Sequence, residues 1–273
     1  MGSEKWREQR VKVRGGELSI QRRGHGRAFL WGHGLTSSSA QEDQAGLRLW
    51  DSLRDGWEVV RVDARGHGAS SGGTDPQAYR WSELAADALA LADALGHERF
   101  VIGGASMGAA VALHAAVAAP GRIDGLVLMI PPTAWSTRPA QASVYRASAD
   151  LAEREGLAAL AAAEASQPPI PIFRGLFDPA EMARARYAGR DASVVAAILR
   201  GAAASDFPEP DAVARLRQPA LLLAWEGDDG HPLSTAERLA ELLPEATLSV
   251  ARRLQDLGAW PQRVAEFCTR QSA

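Results

Sequence analysis

Phe100-Val101-Ile102-Gly103-Gly104-Ala105-Ser106-Met107-Gly108-Ala109-Ala110 decides how this chain is read. A short apolar run meets a G-x-S-x-G pentapeptide at 104–108, and an alanine-rich stretch of helical character follows. Strand, sharp turn and helix in that order leave the Ser106 hydroxyl exposed above the end of a sheet. Gly104 and Gly108 leave room for the crowded backbone of such a turn. A serine so placed is a candidate nucleophile, and it needs a base.

Outward from this turn, apolar runs of strand length recur at 28–31, 58–62, 100–103, 125–130, 220–224 and 247–250. They are continuously apolar rather than alternating, as expected for parallel strands buried on both faces. Residues 11–13 and 18–21 flank Gly15-Gly16 and predict an antiparallel hairpin at a sheet edge. Helical patterns fall between the strands at 41–54, 81–95, 107–118, 235–243 and 261–270. Ser234 or Thr235 is positioned to cap the fourth, with Glu237 reciprocating, and Pro261 suits the first turn of the last. This alternation predicts an α/β fold with a mostly parallel central sheet and helices on both faces.

From Pro131 to about Asp211 the alternation stops. Alanine-rich helical pieces are broken by Pro168-Pro169, Pro171, Gly175, Pro179 and Phe207-Pro208, too many interruptions for a core element. The expected organisation is a core domain of residues 1–131 and 211–273, with residues 132–210 inserted as a helical lid. That insertion falls over strand ends, where open α/β sheets form their binding crevices.

The 273 residues suffice for one large core, and the net charge of −3 gives no reason to expect nucleic acid or an anionic membrane as partner. Lys5 and Lys12 are the only lysines among 30 basic residues, and the arginines are scattered rather than massed. No apolar run is long enough to cross a bilayer. The charged stretch 1–14 resembles no secretory signal, and Cys268, as the single cysteine, excludes an internal disulfide framework. The expected setting is cytoplasmic and the expected partner a small-molecule substrate; oligomeric state is not readable. Gly103-Gly104 lacks the spacing of a dinucleotide or phosphate loop. Glu226, Asp228, Asp229 and His231 stand too close in sequence to converge easily on a metal. No cofactor or metal is expected.

Three loops in order resemble the α/β-hydrolase superfamily, and the likeness runs over nearly the whole chain. Trp31-Gly32-His33-Gly34-Leu35-Thr36 resembles its His-Gly oxyanion loop. Asp63-Ala64-Arg65-Gly66-His67-Gly68-Ala69-Ser70 resembles its D-x-R-G-x-G-x-S loop, and the Ser106 turn follows. The resemblance implies an oxyanion hole made by the N–H groups of Leu35 and Met107. Met107 stands at a helix start, where the dipole favours negative charge. It gives His33 and Gly34 the task of shaping that turn, and makes His67 mainly structural. The acid is implied within Trp225-Glu226-Gly227-Asp228-Asp229-Gly230-His231-Pro232, where Asp228 fits the family spacing and Asp229 is the nearest competitor.

The family's late histidine is missing. Near Leu254, where it is expected, the chain reads Ala251-Arg252-Arg253-Leu254-Gln255-Asp256, and no histidine follows His231. Guanidinium cannot accept a proton at neutral pH, and an exposed carboxylate such as Asp256 is poorly matched as a base. His25, His97 and His114 end no core strand. His231 therefore stands as a relocated base oriented by Asp228, against the alternative of a histidine that only stabilises its own loop. The leading reading is a serine-dependent hydrolase of a small, mostly apolar ester, thioester or lactone. Two others stand beside it. One is a non-hydrolytic cyclase, acyltransferase or C–C lyase that uses Ser106 for positioning; the other is a catalytically silent ligand-binding protein.

Overall fold

The computed structural model describes residues 5–46, 48–53 and 55–271. Eight strands, β1 (Arg7–Val13), β2 (Gly16–Gly24), β3 (Arg27–Gly32), β4 (Trp57–Val62), β5 (Phe100–Ala105), β6 (Ile123–Met129), β7 (Ala220–Trp225) and β8 (Ala246–Ala251), form one sheet in the order β1-β2-β4-β3-β5-β6-β7-β8. β2 pairs antiparallel with both β1 and β4, whereas β4-β3-β5-β6-β7-β8 are parallel neighbours. The hairpin expected around Gly15-Gly16 forms the sheet edge. β5 and β7 are buried at every residue, which their apolar sequences require. β1 instead exposes Arg7 to Arg10, a charged rim that discourages edge-to-edge pairing.

Ten α-helices accompany the described strands: α1 (Ser39–Ala45), α2 (Trp81–Ala94), α3 (Met107–Ala118), α4 (Arg138–Glu155), α5 (Leu157–Ala165), α6 (Pro179–Tyr187), α7 (Ala192–Ala203), α8 (Pro210–Ala214), α9 (Leu233–Leu242) and α10 (Trp260–Arg270). One sheet face buries Leu84, Leu91, Leu113 and Leu239 from α2, α3 and α9. The opposite face buries Trp50 together with Trp260, Val264 and Phe267 of α10. Apolar burial on both faces is the dominant favourable term for such a sheet.

Two local expectations fail. The helix expected over 41–54 ends at Ala45, because Gly46 turns into the left-handed region at φ 73° and returns its N–H to Asp43 O. Leu49 and Trp50 beyond it are buried in non-helical backbone, and Arg54 lies outside the described residues. The second is the cap of α9. The helix starts at Leu233, behind Pro232, with no side-chain cap; Thr235 is inside it and buried. Proline at the helix edge sets the entry there, so no hydroxyl cap is used.

α4 to α7 form the helical insertion between β6 and β7 and share an apolar cluster that includes Leu160, Tyr187, Val195 and Leu199. Two contacts seat it on the core. Arg138 at the start of α4 is buried, lies 4.2 Å from the Trp81 ring and donates to Ser205 O at 2.7 Å. Gly201 of α7 lies so close to Tyr79 that an added Cβ would fall 2.5 Å from the tyrosine Cβ. Among the described residues no helix is long and apolar enough to cross a membrane.

Candidate active site

Ser106 sits between β5 and α3 at φ 52°, ψ −110°, a conformation that L-residues rarely adopt. Such strain persists only where the surroundings over-determine it. Here the serine N–H donates to Met129 O at 2.9 Å, and Ser106 O accepts from the N–H groups of Ala109 and Ala110. The glycines around it are needed for contact rather than flexibility. A Cβ on Gly104 would come 2.5 Å from both Gly32 O and Gly108 C, and one on Gly108 would collide with Gly32 O.

His231 Nε2 lies 2.7 Å from Ser106 Oγ, and His231 Nδ1 lies 2.8 Å from Asp228 Oδ2. The carboxylate can only accept, so Nδ1 carries the proton and Nε2 is left to accept from the serine hydroxyl. Burial alone would raise the Asp228 pKa. Bonds from His231, from Trp225 Nε1–H at 2.8 Å and from Gly230 N–H at 3.0 Å instead hold it below the ordinary carboxylate value. Asp229 is exposed and outside this chain of bonds.

The loop reaches the serine because it is folded back across the end of β6, the strand between β5 and β7. Gly227 takes φ 78°, and His231 N–H closes a turn onto Asp228 O at 3.1 Å. Thr133 N–H, just past β6, donates to Gly230 O at 3.1 Å and ties the loop down. At the position where a late histidine was expected, residues 252–256 do something else. Asp256 accepts the N–H groups of Arg252 and Arg253 at the start of a short 3-10 helix over Leu254–Ala259, and Arg252 pairs with Glu226.

The two histidines of the preceding loops are buried and neutral, burial pushing both below their usual pKa. His33 Nε2 accepts from Ala64 N–H at 3.0 Å, so its Nδ1–H donates to Gly34 O at 2.8 Å. That bond fixes the Gly34–Leu35 peptide, and in a trans peptide the Leu35 N–H points away from the carbonyl that His33 holds. His67 Nε2 accepts from Thr36 N–H at 3.2 Å and its Nδ1–H donates to Arg65 O at 2.8 Å. A Cβ on Gly34 would stand 3.6 Å from Ser106 Cβ, so the turn runs directly beside the serine. Met107 is buried at the first residue of α3. Two further histidines lie elsewhere: His97 beside Glu58 at 3.2 Å, and His114 bonded to Asp206 O at 2.8 Å.

A cavity of about 850 Å³ opens on Ser106, His231, Gly34 and Leu35, and its far wall is the insertion, through Tyr145, Leu160 and Met182 among others. Trp225 was not singled out in the sequence. Its indole N–H on Asp228, three residues on, and its stack on Trp260 at 6.1 Å fix that carboxylate from behind. A tryptophan closing the strand just before the acid loop was the available signal.

With strand order, turn and cavity in hand, the class is settled. The chain belongs to the α/β-hydrolase fold family, whose model matches residues 28–255, and it is an enzyme of the α/β-hydrolase type. Its relatives include the candidate carbamate hydrolase RutD of Agrobacterium fabrum, 32% identical over 248 residues, with 87% of each chain covered. The RutD of a Caulobacter species is 31% identical over 218 residues, covering 73% of this chain and 74% of that one. Among solved structures, a thermophilic esterase of Thermogutta terrifontis superposes with a TM-score of 0.80 at 25% identity, covering 97% of this chain and all of the other. An enol-lactonase of Burkholderia xenovorans shares the fold at a TM-score of 0.79 and 22% identity, covering 96% of this chain and 100% of that one. These relatives support a hydrolase role in general terms.

Proposed function

We propose that this protein is a serine hydrolase of a small ester, thioester or lactone, with Ser106 as nucleophile, His231 as base and Asp228 as the acid that orients it. The observation that carries the reading is the 2.7 Å approach of His231 Nε2 to Ser106 Oγ, with Asp228 on the other ring nitrogen at 2.8 Å. Both lie within the range a proton transfer requires. His231 takes the hydroxyl proton as Ser106 Oγ bonds to the acyl carbon. The carbonyl oxygen becomes an oxyanion facing the N–H groups of Leu35 and Met107. The imidazolium, stabilised by Asp228, then gives its proton to the leaving oxygen or sulfur as that bond breaks. Water repeats the sequence on the acyl-enzyme and frees the acid. Residues 132–210 act as the lid over this reaction, the core being 1–131 and 211–273.

The names of the RutD relatives extend the substrate classes worth assaying to carbamates. The test is hydrolysis of p-nitrophenyl acetate, its thioester analogue, a small lactone and an activated carbamate by the wild type and Ser106→Ala, with mass spectrometry for an acyl adduct on Ser106. Turnover by the wild type that Ser106→Ala abolishes is the expected result. Equal turnover by both removes the covalent mechanism.

A further inference from the structure

The link between α6 and α7 carries Arg190, a partly buried guanidinium that pairs with no carboxylate among the described residues. It spends its hydrogen bonds on two backbone carbonyls: Nη1 donates to Thr36 O at 2.8 Å and Nη2 to Gly66 O at 3.2 Å. Burying a charge is costly unless it is paired or hydrogen-bonded, and here backbone carbonyls take the place of a counter-ion. Both acceptors belong to loops with unusual backbone. Thr36 has φ 58°, which a β-branched residue rarely tolerates, and Gly66 has φ 71°. Arg190 does not line the cavity, so contact with substrate is not its task.

We propose that Arg190 is a positioning residue that holds the oxyanion turn from the insertion side. Thr36 follows Leu35 directly: its N–H donates to His67, its hydroxyl donates to Leu35 O at 2.7 Å and accepts from Arg186 Nη1 at 3.5 Å, and its carbonyl accepts from Arg190. His67 and Arg190 grip the two ends of the same residue from opposite sides in sequence, one from the core loop and one from the insertion. Arg190 also bridges that turn to Gly66 in the loop that carries His67, so both loops are braced by one planar fork. α7 begins at Ala192 with Asp191 capping it, and its packing on Tyr79 makes the base from which Arg190 reaches rigid. The insertion thereby adds a second hold on the turn that presents the Leu35 N–H, beside the His33 bond to Gly34 O from the core. Catalytic competence is coupled in this way to seating of the lid.

This inference rests on the serine-hydrolase reading for its kinetic consequence, and the test separates the two. Arg190→Gln and Arg190→Lys are compared with wild type in three measurements. These are kcat and KM for p-nitrophenyl acetate, the rate of Ser106 phosphonylation by a fluorophosphonate, and amide hydrogen exchange of the segment 34–40. A lost oxyanion donor lowers kcat by about 10²–10³-fold, and loss of its brace is expected to lower kcat about tenfold or more with KM little changed. Phosphonylation falls in parallel, exchange in 34–40 accelerates, and Arg190→Lys, which keeps the charge and one carbonyl bond, recovers part of each. Unchanged exchange in 34–40 for Arg190→Gln overturns the proposal, as does a fall in thermal stability with kcat and phosphonylation untouched. If wild type neither hydrolyses the ester nor reacts with the fluorophosphonate, the serine-hydrolase reading fails, and exchange still decides whether Arg190 holds the turn. If Arg190→Gln does not fold, Arg190→Lys decides on the same three readouts.

Discussion

Replacing Trp225 with phenylalanine isolates what a single donor contributes to the acid. The ring is buried, meets Phe173 edge-on at 4.9 Å and stacks on Trp260 at 6.1 Å, so phenylalanine keeps an aromatic body in the stack. It cannot donate to Asp228 Oδ2, and the carboxylate keeps only His231 and Gly230. A hydrogen bond to a charged group contributes about 1.5–3 kcal/mol, and the lower end corresponds to roughly a factor of ten in rate. The Asp228 pKa, now held below its ordinary value, should rise, and kcat/KM at neutral pH should fall about tenfold. The sign of the stability effect follows from linkage. A carboxylate with a depressed folded pKa adds stability above its unfolded pKa and loses it as pH falls through the folded one. Wild type should therefore exceed the variant in stability at neutral pH, and this part of the gap should close in strong acid. The assay is kcat/KM for p-nitrophenyl acetate with urea unfolding across pH, and Trp260→Phe controls for lost aromatic area. A Trp225→Phe enzyme with wild-type kcat/KM and an unaltered stability profile would refute the assignment of Trp225 to the acid.

Other perturbations have equally definite outcomes. Glu42, largely shielded at the cavity wall and bonded by Trp31 Nε1–H at 3.0 Å, has its pKa raised by desolvation to about 7. Its folded state binds more protons than the unfolded one from about pH 4.5 to 7, so wild type should lose stability as pH rises through that window; Glu42→Gln should flatten the profile in urea melts. Gly104→Ala places a methyl against backbone on two sides, and overpacking of this kind should cost about 1–3 kcal/mol or more, measured as a lowered denaturation midpoint. Arg61→Met removes a fully buried guanidinium beneath Trp50 that donates to Ser39 O, Gln21 and the half-exposed Asp43, and the buried carbonyl left without its donor should cost about 1–3 kcal/mol in the same measurement.

The sheet was legible because its signals are local. Continuous apolar runs mark β3 to β8 in sequence, and a glycine pair marks the β1–β2 hairpin. The α1 error is local too: helical spacing continued past Gly46, but a left-handed glycine outweighs periodicity. The α9 cap failed because a proline before Leu233 sets the entry without a hydroxyl. Ser106 and Asp228 were nameable because each ends a strand. The distance from His231 to Ser106 was not, since it depends on a turn at Gly227, a closing bond from His231 N–H to Asp228 O and the Thr133–Gly230 tie across β6. No periodicity encodes those contacts. Arg190 lies 154 residues from Thr36, and nothing in its neighbourhood of the sequence announces a carbonyl as its partner.

The most direct measurement is the rate at which a fluorophosphonate modifies Ser106 in folded His231→Ala compared with wild type, across pH. This bypasses the unknown substrate and reports the nucleophile itself. With His231 as the base, phosphonylation should fall by about 10³-fold or more in the variant. A His231→Ala protein that is labelled at Ser106 as fast as wild type throughout the pH range would contradict the account.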